Sequence, residues 1–414
     1  MVPLRTAVLV TAAILNAPVI TWAQQRMPDS ALLTEARSLE LGLNQRAFIQ
    51  LGESRLNAAQ SDVIDATALT NPQFEWSLEE AGDETETSFW LRQHIDFSGQ
   101  RQAQGNAAEA RVQAVAAATD ARHSEQRVKI RRRFFQTLHD SQQLTLMDAW
   151  IAKFAEVEAA MQQRETAGDV SGYDRRRISR EKVALLAQQR SLQARRDGRW
   201  EQLLATLGDD LDRGRYHGVT GQLLDDGVPP LDTLMASVQH HPALQGLQHE
   251  ANSHRLEMRA AQRSRYPDVT LGIGLKTVDQ PAGDDSGLMV SAGLPLPIFD
   301  RNRGATQRSA ALARAAQSEY RLALNEAEGQ VRSLWQQSRQ LADNARLFRE
   351  QSVQTSAELV RIAEAAYHSA EIGVLELIDA YRSALNAETE ALAIELQARL
   401  VRIELDAVTE GVSQ

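Results

Sequence analysis

Residues 266–304 read YPDVTLGIGLKTVDQPAGDDSGLMVSAGLPLPIFDRNRG, and the alternation inside them sets the architecture of the chain. Val269, Leu271, Ile273 and Leu275 alternate with Thr270, Gly272, Gly274 and Lys276. After a loop carrying Asp279, Pro281, Gly283, Asp284 and Asp285, the apolar set Leu288, Val290, Ala292, Leu294 and Leu296 alternates with Met289, Ser291 and Gly293. A period of two belongs to strands with two unlike faces, so the stretch predicts a hairpin. Pro295 and Pro297 have no N–H for a ladder and end the second strand. Asp300 can then cap a helix that begins near Arg301 or Asn302 and runs on through Gly304.

The pattern occurs twice. Phe74, Trp76 and Leu78 alternate with Glu75, Ser77 and Glu79, and Phe89, Leu91, Ile95 and Phe97 alternate with Trp90, Arg92, His94 and Asp96, around a loop with Asp83, Glu84 and Glu86. Arg101 and Arg303 are separated by 202 residues, as are Gly168 and Ala370. One offset at two distant landmarks indicates a duplication. The expected layout is a first repeat over 24–207 with a strand pair at 72–97, a connector over 208–230, and a second repeat over 231–414 with a strand pair at 268–297.

Each repeat opens with a helical segment, 30–67 and 231–264, the second broken only by Pro242, and each is closed by a proline, Pro72 or Pro267, that forces extended geometry. Each strand pair is followed by a long proline-free run, 99–167 and 303–368, which as a helix is roughly 100 Å long. Turns near 168–174 and 369–374 send the chain back along 174–207 and 374–410. Helices of this length must bury themselves against neighbours. Four strands of about ten residues fit the ~9 to 11 residues of a transmembrane β-strand, but four cannot close a conducting barrel, so several chains must contribute to one.

Residues 1–23 have a basic start at Arg5, an apolar stretch from Ala7 to Leu15 and Thr21-Trp22-Ala23 as a cleavage site, the parts of a secretory signal. The chain has no cysteine, hence neither disulfide, nor thiolate metal site, nor a residue to carry a lipid anchor. The net charge of −10 argues against a nucleic-acid partner. No cofactor is expected. The GIG run at 272–274 lies inside a strand and lacks the strand-to-helix phosphate turn. His240, His241, His249 and His254 lack the i, i+4 spacing of a helical zinc motif, and no catalytic constellation stands out.

NPQF at 71–74, IDFSGQR at 95–101, YPDVTLGIGL at 266–275, LPLPIFDRNRG at 294–304 and IGVLELIDAYRSALNAE at 372–388 together resemble the TolC family of outer-membrane efflux proteins, over essentially the whole chain beyond residue 23. The LPLPIFDRNRG run is similar to the branch serving heavy-metal pumps of the resistance-nodulation-division (RND) class. The resemblance implies a mainly α fold with a small transmembrane β part. In it, a homotrimer gives four strands per protomer to a twelve-stranded barrel, continuous with long periplasmic coiled-coil helices. It also implies an outer-membrane location with a periplasmic extension, a periplasmic adaptor (membrane fusion protein), an inner-membrane RND transporter, and a passive exit duct rather than an enzyme. By position, Glu376 and Asp379 match the acidic ring of the aperture, and Asp174 and Tyr367 match a closed-state hydrogen bond. Gly168, Asp169 and Val170, with Ala370, Glu371, Ile372 and Gly373, match the turns that meet the adaptor. Pro295, Pro297, Asp300, Asn302 and Gly304 match the barrel-to-helix transition. Ile372 stands where the family carries an arginine of a second lock, for which Arg175, Arg176 or Arg177 could substitute. Drug, solvent or polypeptide ducts share this architecture, and a soluble periplasmic coiled coil is the alternative outside it.

Overall fold

The two hairpins build one sheet. The computed structural model describes residues 31–168, 171–209, 211–224, 227–281 and 283–409. The expected signal sequence, 1–23, and Asp169 and Val170 of the first turn lie outside the described residues. Strands β2 (Gln73–Ala81) and β3 (Glu84–Ile95) form one hairpin, and β5 (Val269–Asp279) and β6 (Asp285–Gly293) form the other. All neighbours are antiparallel in the order β2-β3-β5-β6, which leaves β2 and β6 as edges.

The register gathers the apolar positions of all four strands on one face. Phe74 is opposite Leu91, Leu91 opposite Ile273 and Ile273 opposite Val290, and the next row aligns Trp76, Phe89, Leu275 and Leu288. All eight are exposed, from 41% for Phe89 to 78% for Val290. A sheet that folds in water buries such a face, and no described element of the protomer covers this one. The other face is polar: Glu75 pairs with Arg92 and Glu86 with Lys276. Position 274 must be glycine, because a Cβ there would stand 2.7 Å from the Phe89 carbonyl oxygen and 2.8 Å from the Trp90 ring.

Strand limits differ from the alternation. β6 stops at Gly293 rather than continuing through Leu296, since Pro295 and Pro297 bring no N–H to the ladder, and β3 stops at Ile95. Helix α3 (Gln100–Ala167) follows at once. The Asp96 carboxylate accepts from the Gly99 N–H (3.0 Å), the Arg101 N–H (2.8 Å) and the Ser98 hydroxyl (2.7 Å), and so anchors the helix start. In the second repeat, Asp300 accepts from the Asn302 N–H (2.8 Å), and α7 (Arg303–Phe348) begins at the start of the expected 303–368 run rather than at Arg301 or Asn302. Asn302 is left-handed (φ 55°) and donates its amide to Ser264 instead of capping α7.

Helix α3, at 68 residues, is roughly 100 Å long. Helix α4 (Gly172–Leu207) returns over about half that length. The second repeat descends as α7, a π turn at Arg349–Val353 and α8 (Gln354–His368), and returns as α9 (Val374–Thr409). The π turn interrupts the single helix expected over 303–368. It inserts extra backbone between the buried positions Val331, Leu334 and Ala345 and the later set Val360, Ala363 and Tyr367, so that both meet the bundle.

The opening segments are each divided rather than continuous. The first comprises β1 (Ala31–Leu33), α1 (Glu35–Leu43) and α2 (Arg46–Thr67), and the second α5 (Leu231–Val238) and α6 (Pro242–Arg263). Pro242 starts a helix instead of interrupting one, with His241 as its N-cap, because the first helical position needs no N–H. Strand β4 (Tyr216–Val219), within the connector, pairs in parallel with β1. Around this waist Ile130, Phe134, Phe135, Leu203, Leu204 and Ile403 form a dry core. Arg399 donates to the carbonyls of Leu223 (2.7 Å) and Gln222 (3.1 Å), and Arg402 to that of Gly227 (2.6 Å), which ties the connector to α9.

Candidate functional site at the helical tips

The end of the bundle remote from the sheet is formed by two hairpins, α3/α4 and α8/α9. A shared apolar core holds them, built from Trp150, Phe154, Met161, Ile178, Val360, Tyr367, Val374, Leu377, Ile378 and Tyr381. On α9 the members Val374, Leu377, Ile378 and Tyr381 follow the spacing of one helical face. Glu376 and Asp379 fall outside that stripe and are both exposed. Glu376 stands at the third position of α9, where the helix N-terminus favours a carboxylate.

The turns themselves are tight. Gly168 closes α3 in a left-handed conformation (φ 86°), its N–H donating to the Glu165 carbonyl (3.0 Å). Its counterpart Ala370 adopts the same region (φ 60°) without glycine's freedom, a strain of roughly 1–2 kcal/mol. Glu371 and Ile372 both direct their N–H groups to the Ala366 carbonyl, and Gly373 precedes α9. Ile372 packs against the apolar core, so this position supplies no charged side chain for a second lock.

The expected hydrogen bond between Asp174 and Tyr367 is not made. Asp174 is captured by its own helix cap: the Ser171 hydroxyl accepts from the Asp174 N–H (3.3 Å) and donates to its carboxylate (3.0 Å). The Tyr367 ring is buried and its hydroxyl has no hydrogen-bond partner among the described residues. Arg175, one candidate for a second lock, is paired with Glu165 inside its own hairpin.

A different set of polar side chains joins the helices, and residue spacing alone did not reveal it. The Tyr381 hydroxyl donates to Glu364 (2.8 Å), which also pairs with Lys153 (3.3 Å), so α9, α8 and α3 meet at one carboxylate. Burial, and then Glu364, push the Tyr381 phenol above its usual pKa. The ring stacks edge-on against Trp150 and Phe154, each at 5.4 Å, and Lys153 lies 5.3 Å from the Trp150 ring. Farther up, Arg349 of the π turn pairs with Glu395 at 2.5 Å. Glu181 on α4 pairs with Arg382 on α9 at 2.5 Å, an ionic contact between these two helices. Tyr381 carried a signal, since a tyrosine in an apolar stripe needs a partner for its hydroxyl.

Among the described residues no three His, Asp or Glu side chains are grouped to hold a metal ion. Among the described residues no helix is long and apolar enough to cross a membrane.

Comparison with known proteins agrees with this geometry. Residues 234–410 match the family model "Outer membrane efflux protein". The chain is 25% identical over 377 residues to the cobalt-zinc-cadmium resistance protein CzcC of Cupriavidus metallidurans, covering 87% of this chain and 86% of that protein. Among solved structures, a membrane protein from Pseudomonas aeruginosa superposes with a TM-score of 0.76 at 18% identity, over 91% of this chain and 92% of the other. The outer membrane protein VceC from Vibrio cholerae gives 0.74 at 17% identity, over 92% and 97%.

Proposed function

We propose that this chain, an outer-membrane efflux protein of the TolC type, is the passive exit duct of a tripartite RND pump that expels heavy-metal cations. The observation that carries the reading is the uncovered apolar face that runs across four strands of a sheet open at both edges. Strands of 9 to 12 residues match the lipid-crossing length. Three protomers supply twelve strands, β6 of one pairing with β2 of the next, so no backbone edge is left in lipid. The polar face then lines the lumen, and the long helices continue it as a periplasmic tube. The two repeats, 24–207 and 231–414, give each protomer equivalent halves of that wall, after removal of a signal at 1–23.

At the far end, three copies each of Glu376 and Asp379 ring the aperture and favour cations over anions. The turns around Gly168 and Ala370–Gly373 meet the periplasmic adaptor, and the inner-membrane transporter supplies the energy. Similarity to a cobalt-zinc-cadmium resistance protein supports metal cargo. Deleting the protein and scoring tolerance to cobalt, zinc, cadmium, copper, silver and a drug panel tests this. Loss of metal tolerance is expected, and sensitivity confined to drugs overturns the metal reading.

A further inference from the structure

We infer that the ion pair between Glu181 and Arg382 is the latch that holds the two tip hairpins together. The Glu181 side chain is only 10% exposed. One of its oxygens accepts from Arg382 Nε (3.0 Å) and Nη2 (2.5 Å), and the other accepts from Arg180 (2.8 Å). Exposed ion pairs contribute little, but withdrawing Arg382 leaves the buried Glu181 carboxylate with only the exposed Arg180 on its other oxygen, so one oxygen loses its ionic partner away from water. Position makes the pair more than a brace. Glu181 is on α4 of the first hairpin and Arg382 on α9 of the second, and Arg382 is one helical turn beyond Asp379. The hairpins cannot separate at the tip without breaking it.

The place that the Asp174–Tyr367 bond would hold is therefore taken farther up, where Glu181 keeps one oxygen for Arg382 while the other meets Arg180. Separation also releases the Arg382 guanidinium beside Asp379, at i, i+3 on the same helix. Opening thereby adds positive charge next to the acidic aperture. This inference rests on the reading of the tips as the closing end of a duct.

The chain has no cysteine, so nitroxide labels can be placed uniquely at Tyr173→Cys on α4 and Leu375→Cys on α9, both exposed. Electron spin resonance distances are read in trimers diluted with unlabelled chain. Glu181→Gln and Arg382→Gln should each lengthen and broaden the distance distribution, and the double exchange Glu181→Arg with Arg382→Glu should return it to the wild-type width. Single variants with wild-type distances overturn the latch, as does a double exchange that stays broad. Planar-bilayer currents on the same proteins test the duct separately. A severalfold rise in the single variants is expected, whereas widened hairpins in a protein that never conducts leave the latch standing and remove the duct.

Discussion

Replacing Tyr381 by phenylalanine removes one hydroxyl from the tip and nothing else. The ring keeps its edge-on contacts with Trp150 and Phe154, so no cavity opens. What is lost is the 2.8 Å bond to Glu364. Hydrogen bonds to charged groups contribute about 1.5–3 kcal/mol. The Glu364 side chain is 34% exposed and keeps Lys153, so the lower end applies, about 1.5 kcal/mol. Because that energy joins α9 to α8, it acts on local opening of the tip. A change of ~1.4 kcal/mol is tenfold in an equilibrium constant, so amides of 374–385 should exchange about ten times faster. Hydrogen exchange by mass spectrometry on the detergent-solubilised trimer measures this, with the waist helix around Phe134 as the unchanged reference. The phenol is held above its usual pKa and remains a donor at every pH below about 10. Exchange at 374–385 equal to wild type would refute the reasoning. Exchange that accelerates equally at the waist would refute its locality.

Two further outcomes follow from burial and from the sheet. Burial raises the Glu388 carboxyl despite the indole hydrogen bond from Trp150 and the nearby Arg349 and Lys153. A carboxyl whose pKa rises on folding stabilises the fold only while protonated, and this contribution is lost as pH climbs through the folded value. Glu388→Gln should therefore raise the thermal midpoint at pH 7 and leave it nearly unchanged at pH 4, and a lower midpoint at pH 7 counts against the assignment. Gly274→Val should cost about 1–3 kcal/mol or more, since its Cβ meets the Phe89 carbonyl and the Trp90 ring. Loss of trimers from the outer-membrane fraction is the readout, and normal trimer yield would contradict the close strand approach.

Much of the framework could be read from local pattern. Alternation in 73–95 and 269–293 is a property of neighbouring residues, and the proline-free runs after Gly99 and Asn302 announce their helices in the same way. Local pattern also misled where local competition decides. The resemblance set Asp174 against Tyr367, but Ser171 stands three residues before Asp174, caps its N–H and donates to its carboxylate. Pro242 looked like a break within a helix and proved to be a helix start. The π turn at Arg349–Val353 left no mark in the sequence, because Ala, Gln, Ser and Arg flanks suit either helical winding.

By itself, then, the sequence determined the periods: where strands alternate, where long helices run, and that an apolar face on four strands needs more than one chain to close it. Those conclusions depend on side-chain spacing of 2.0 and 3.6 residues, which any window of the chain displays. The tertiary structure alone decided which distant side chains meet. Glu181 and Arg382 are 201 residues apart, and Arg399 reaches a connector 176 residues away. Such pairs arise only when two hairpins lie side by side, because the energy that selects them is non-local and leaves no periodic trace in either partner's neighbourhood.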